Sequence, residues 1–295
     1  MDQPSPLQDF ARPALAAPAI WRLLAALAAV FGCMILLGIG AGGASLALGF
    51  DLRGVLRGFE TPISALLILA SFLIWRPAIW LAMRLFTRRP YRSLFGASGR
   101  VDWPAFLIGL AIATAIAALS TLAAMALVGA PLATGAGAPL WLGFAAIALP
   151  LIYIQSSAEE LLFRGLILQH MAARFGAFWA WGLIPSALFG LLHWNPDGYG
   201  AAAWMVLAIT GLTGLVFALV TAATGNLGTA MGLHFGLNAY ALLVIAPNAA
   251  FSGLSLAHWP DDDAALQRLL AVDFGMLALA CLAAAILYRR RVRAV

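Results

Sequence analysis

Apolar residues run along this chain in long blocks, rich in Leu and Ala, without the alternation of a strand. About 20 such residues in a helix cross a hydrocarbon core of roughly 30 Å. Backbone polar groups in lipid must be paired within a helix or around a closed barrel, so blocks without alternation read as helices. The pattern predicts eight spans, at about 20–45, 61–86, 104–129, 139–158, 177–195, 199–223, 227–247 and 267–288. The fourth runs on as helix to about residue 175, and the fifth is the shortest. The expected fold class is all-α, a polytopic transmembrane helical bundle of about eight helices.

Composition agrees with lipid as the solvent. Hydrophobic residues make up 63% of the chain and charged residues 10%, against roughly 25% charged in a soluble domain. The mean hydropathy is +0.95. The 17 basic residues are all Arg, as the codon bias of a GC-rich bacterial genome would give. The net charge of +5 is explained by Arg at cytoplasmic helix ends. No aromatic–basic RNA-binding pattern accompanies it, so no nucleic-acid partner is expected. Cys33 and Cys281 lie far apart in apolar segments, with neither a disulfide framework nor a CxxC pair.

Arg in the loops predicts the orientation. Arg84, Arg88, Arg89, Arg92 and Arg100 follow the second span, and Arg289, Arg290, Arg291 and Arg293 follow the last. Both clusters should face the cytoplasm, with the N-terminus on the same side, in a bacterial cytoplasmic membrane. The loop at 248–266, with Asp261, Asp262 and Asp263, then lies outside. Residues 1–18 read as a loose cytoplasmic tail, and their Asp2 and Asp9 before Arg12 argue against a cleaved signal peptide. The Gly-rich stretches at 38–43 and 134–137 read as flexible or close-packing backbone.

Ionisable groups inside a span are costly and mark function by default. Glu159, Glu160 and Arg164 follow an apolar run. Glu160 and Arg164, four apart with the acid first, are set to neutralise each other. Glu159 points about 100° away around the helix, leaving one paired and one unpaired acid, a pattern that separates two carboxylates into different roles. Phe189 and His193 share one helical face, and so do His234 and Asn238. Taken singly, each group also fits a bland reading: a charged helix end, a structural His, or an Asn that packs helices. Together they converge. Glu159 and His193 each lie 17 residues from Gly176, so a turn there brings them to equal depth on antiparallel helices, with His234 able to reach the same layer. Glu or His can take a proton from water, and His and Asn can donate to an oxyanion, which together fits amide hydrolysis. Arg76 and Asp273 also lie within spans, as an interhelical pair or as a snorkelling Arg and a helix-end Asp.

Three ordered motifs, Glu-Glu-x-x-x-Arg at 159–164, Phe-x-x-x-His at 189–193 and His-x-x-x-Asn at 234–238, resemble the CPBP family. These are the CAAX proteases and bacteriocin-processing enzymes, also called the Abi or type II CAAX prenyl endopeptidase family. The resemblance covers about 139–247 and implies a catalytic helical core there. Residues 19–138 would be N-terminal transmembrane helices, and 248–295 a loop, the last helix and a basic tail.

The resemblance implies an intramembrane endopeptidase acting on a membrane protein or lipophilic peptide, in contact with membrane lipid. Glu159 would be the general base, and His193 would hold water. His234 and Asn238 would stabilise the oxyanion, with Glu160 and Arg164 setting the geometry and Phe189 packing under His193. No cofactor is favoured. The alternative is Zn²⁺ on Glu159, His193 and His234, although no His-Glu-x-x-His helix is present. The rival from another class is a non-catalytic chaperone, immunity or partner-binding module. A proton-coupled transporter finds no repeated halves in its favour.

Overall fold

Because every buried backbone group must find its partner inside its own segment, the apolar blocks fold as helices. The computed structural model describes residues 4–49, 58–128, 132–135 and 138–293. A short helix α1 (Pro6–Ala11) precedes α2 (Ile20–Ala47), α3 (Pro62–Phe86) and α4 (Trp103–Val128). Then come α5 (138–175), α6 (Trp179–Leu191), α7 (Ala203–Thr224), α8 (Gly228–Leu243) and α9 (Asp263–Arg293). The architecture is an all-α polytopic bundle in which, among the described residues, six helical segments are long and apolar enough to cross a membrane.

Two of the expected spans are shorter than a crossing demands. The fifth covers Trp179–Leu191 rather than 177–195, because Leu192 to Trp194 turn and Asn195 caps a new helical turn that opens with Pro196. The seventh covers Gly228–Leu243 rather than 227–247, because Ile245–Ala246 leaves the helix as strand β2. This strand lies parallel to β3 (Ala257–His258), which pairs antiparallel with β1 (Ala133–Thr134). No helical periodicity announced this three-stranded cap.

The N-terminal segment is not a loose tail. Ser5 and Gln8 close a capping box on α1, and Leu7 and Phe10 are buried in the core. Phe10 lies against the backbone of Gly96. Pro and Asp hid this apolar pair from a reading by composition. Gly38, Gly40, Gly42 and Gly43 lie in α2 with open space where a Cβ would stand, so they do not mediate close packing. Of the second Gly-rich stretch, residues 136–137 lie outside the described residues, while Gly135 packs against the Ser255 carbonyl.

One seam orients the chemistry. α8 packs along α4 through Gly228, Gly232 and Gly236, the small-xxx-small spacing that lets membrane helices approach closely. A Cβ on Gly232 would stand 2.0 Å from the Phe106 carbonyl oxygen, and one on Gly109 would stand 2.3 Å from that of Thr229. At about 100° per residue, the seam sends His234 and Asn238 to the opposite side of α8, toward α5.

Gly232→Leu should therefore be destabilising by about 3 kcal/mol, at the upper end of ordinary overpacking costs. Gly38→Leu should be neutral. Thermal unfolding of both variants in detergent checks this, and equal Tm values for the two would contradict the seam.

Candidate active site

α5 changes its winding where the polar residues sit. It is α-helical through Glu160, π-helical over Leu161–Leu168 and α-helical again to Phe175. π-turns widen the helix and occur often at functional sites. Here the widened turn is fully buried. From outside the spans it is held by Arg89, which donates to the Gly165 carbonyl at 3.4 Å and to Gln169 Oε1. Gln169 Nε2 in turn donates to the Ser93 carbonyl at 3.0 Å. Burial pushes the Arg89 guanidinium down to about 10, so it stays charged at neutral pH. The left-handed Gly176 then ends the helix and reverses the chain into α6.

Glu160 is the hub. Its Oε1 accepts from Arg164 Nη1 and from His234 Nδ1, each at 2.8 Å. Arg164 Nη2 donates to the Gly214 carbonyl of α7 at 2.9 Å. The guanidinium lies 4.8 Å from the Phe189 ring centroid and 5.1 Å from that of Phe217. Glu160, Arg164 and His234 are 0%, 2% and 4% exposed, so the ion pair is shielded from water. Hydrogen bonds to Glu160 Oε1 and from Arg164 Nη2, with the aromatic contact, offset the burial, while Glu160 Oε2 has no hydrogen-bond partner.

Glu159 belongs to a separate network. Gln155 Nε2 donates to its Oε1 at 2.5 Å, and Gln155 Oε1 accepts from Asn238 Nδ2 at 2.8 Å. The other oxygen, Oε2, is buried without a hydrogen-bond partner and lies 3.6 Å from His234 Nε2. That distance is too long for a direct hydrogen bond. His193 closes the arrangement from the end of α6. Its Nδ1 meets the Phe189 carbonyl at 2.8 Å, so Nδ1 carries the proton and Nε2 is the free atom. By the same logic His234 donates from Nδ1 to Glu160 and turns Nε2 toward Glu159. Phe189 touches both imidazoles, with ring centroids 4.6 Å from His193 and 5.8 Å from His234.

Glu159, His193, His234 and Asn238 all line one cavity of about 570 Å³, with walls from α3 to α9 that are mainly apolar and aromatic. This volume is in the range of small-molecule and peptide sites. Glu160 and Arg164 lie behind the cavity wall, and Phe189 forms part of it. Spacing alone paired Glu160 only with Arg164 and missed its contact with His234. It also missed Gln155, whose signal was present: a polar residue four before Glu159, on the same face of an apolar helix. Arg76 and Asp273 do not meet. Arg76 Nε donates to Tyr91 Oη at 3.4 Å, and Asp273 accepts from Ser120.

Zn²⁺ on Glu159, His193 and His234 would have to use Glu159 Oε2 and the two imidazole Nε2 atoms. Among the described residues no three His, Cys, Asp or Glu side chains converge as metal ligands. Both Nδ1 atoms and one Glu159 oxygen are bonded within the protein, which orients the rings whether they hold water or a metal.

Removing one partner of the buried ion pair should leave the other uncompensated. Arg164→Met is expected to cost about 3–5 kcal/mol, and Glu160→Gln with Arg164→Met less than the sum of the single changes. A double-mutant cycle by thermal unfolding reads this out, and additive losses would dissolve the pair as a unit.

Residues 136–240 match the family model described as Type II CAAX prenyl endopeptidase Rce1-like. The chain is also 30% identical over 187 residues to a Bacillus subtilis (strain 168) protein described as "Uncharacterized protein YyaK". That match spans 60% of this chain and 60% of the relative. No solved structure matches the chain. The matched segment begins just before α5 and ends within α8, so it contains every residue of the three motifs. Residues 136–240, which build the polar end of the cavity, are thus similar to the Rce1-like family model.

Proposed function

We propose that the chain is an intramembrane endopeptidase that hydrolyses a peptide bond of a membrane-associated protein or lipophilic peptide. The observation that carries this reading is the unpartnered Glu159 oxygen, buried at the wall of a mainly apolar cavity and facing His234 Nε2 at 3.6 Å; Glu160 Oε2 is also unpartnered but lies behind that wall. At the cavity, His193 Nε2 is likewise not committed to a neighbour, since its ring is held through Nδ1. The two free atoms are those that would bind a nucleophilic water.

Glu159 Oε2 takes a proton from that water while His193 Nε2 accepts a hydrogen bond from it. The hydroxyl attacks the amide carbon, and the carbonyl electrons move onto oxygen. His234 Nε2–H and the second N–H of Asn238 Nδ2 stabilise this oxyanion. A proton on His234 Nε2 is balanced by Glu160, which also fixes the ring through Nδ1. Collapse of the intermediate breaks the C–N bond, and Glu159 returns its proton to the leaving nitrogen. Gln155 holds both Glu159 and Asn238, setting base and oxyanion donor at a fixed separation. No metal is assigned a step.

For orientation, we place both Arg clusters and both termini at the cytoplasmic face of a bacterial inner membrane. The bridge between Gly96 and Asn226 supports this, because it joins the Arg-rich 84–100 segment to the α7–α8 turn at one end of the bundle. The β1–β3–β2 cap would then face outward.

Glu159→Gln should lower turnover by about 10²–10⁴-fold, the usual contribution of a general base. Its substrate is sought by quantitative membrane proteomics as a precursor that accumulates in the variant. Cleavage of that precursor by purified Glu159→Ala protein at the wild-type rate would end the proposal. Wild-type protein freed of metal by chelation should keep its full rate. A loss restored by Zn²⁺ would replace the glutamate mechanism with a metal one.

A further inference from the structure

The cavity holding Glu159 continues to a second acid. Asp273 on α9 lines it, and Ser120 of α4 donates to its Oδ1. Both residues lie outside the Rce1-like stretch 136–240, so the family resemblance assigns them nothing. A carboxylate in a membrane span is costly, and a single hydroxyl satisfies only part of its accepting capacity.

The charges around the cavity are one-sided. Among the described residues that line it, none is Arg, and its acids are Glu159 and Asp273. Arg164 is held behind Phe189 and Phe217 by Glu160 and the Gly214 carbonyl. The two imidazoles commit Nδ1 to the Phe189 carbonyl and to Glu160. The remaining walls include Phe59, Phe72, Tyr199, Phe251 and Trp259. An acid lining a cavity with aromatic walls attracts a cation on an apolar stem. The same field repels a carboxylate, and specificity uses both effects.

Resting on the endopeptidase reading, we propose that Asp273 is a specificity-determining residue. It receives a Lys, Arg or other ammonium-type group of a lipophilic peptide whose scissile bond lies at Glu159, and it disfavours a substrate that brings a carboxylate to that wall.

The test uses the full chain in phosphatidylcholine nanodiscs, with empty nanodiscs as control. The probes are fluorescent Leu/Ala peptides that differ only in one Lys, Gln or Glu, with binding read by anisotropy and cleavage by mass spectrometry on the same samples. The Lys peptide should bind at least about tenfold more tightly than the Glu peptide, the modest end of what a buried charge pair contributes. Asp273→Asn should bring the three dissociation constants together, and Asp273→Glu should keep their order. If Asp273→Asn does not yield folded protein by thermal unfolding, Asp273→Ser takes its place. Equal affinities in wild type, an unchanged order after removal of the acid, or no binding of any peptide overturns the proposal. Charge-selective binding without cleavage removes the endopeptidase reading and keeps Asp273 as a cation-selective residue. Cleavage without charge selection removes only the role of Asp273.

Discussion

A carboxylate with no access to water has to be answered by the protein itself, and Glu160 is answered twice through one oxygen. Arg164 and His234 both bond to Oε1, each at 2.8 Å. The guanidinium needs its own support, which comes from the Gly214 carbonyl and the rings of Phe189 and Phe217. One buried charge thus ties α5, α6, α7 and α8 together. Lipid gives helices little hydrophobic reason to associate with one another. A hub of this kind supplies specificity where burial of apolar area does not. Because His234 is a member, its ring cannot turn away from the cavity without breaking the hub.

The second constraint is steric. The glycine seam between α4 and α8 leaves no room for a Cβ at Gly232, and it fixes the rotation of α8 about its axis. The hub and the seam act on opposite sides of that helix. Between them, His234 and Asn238 have one orientation, and it faces Glu159 and Gln155. The π-turn, held by Arg89 at Gly165, carries Arg164 behind the wall beside Glu160, while Glu159, about 100° away around the helix, lines it. An acid free to meet water and an acid withheld from it therefore sit at adjacent positions.

Several features were legible in the chain because they depend on near neighbours. The apolar blocks specify helices, since lipid leaves the backbone no other partner. Pairing of Glu160 with Arg164 follows from four-residue spacing, and the reversal at Gly176 follows from a residue tolerant of positive φ. Pattern alone overestimated Trp179–Leu191 and Gly228–Leu243. Their flanking residues are apolar, yet they turn or pair as strand. It also missed α1, whose two core residues are scattered among Pro and polar positions.

The sequence by itself determined the solvent, the fold class and the identity of the polar residues at the motif positions. These follow from composition and from periodicity within one helix. Only the tertiary structure decided which of the two acids lines the cavity, that Gln155 links Glu159 to Asn238, and that Asp273 shares their cavity. The physical reason is distance along the chain. Glu160 meets His234 across 74 residues, and Ser120 meets Asp273 across 153. Such contacts depend on how helices rotate and approach one another, which is set by the seam, the hub and the π-turn together rather than by any local pattern.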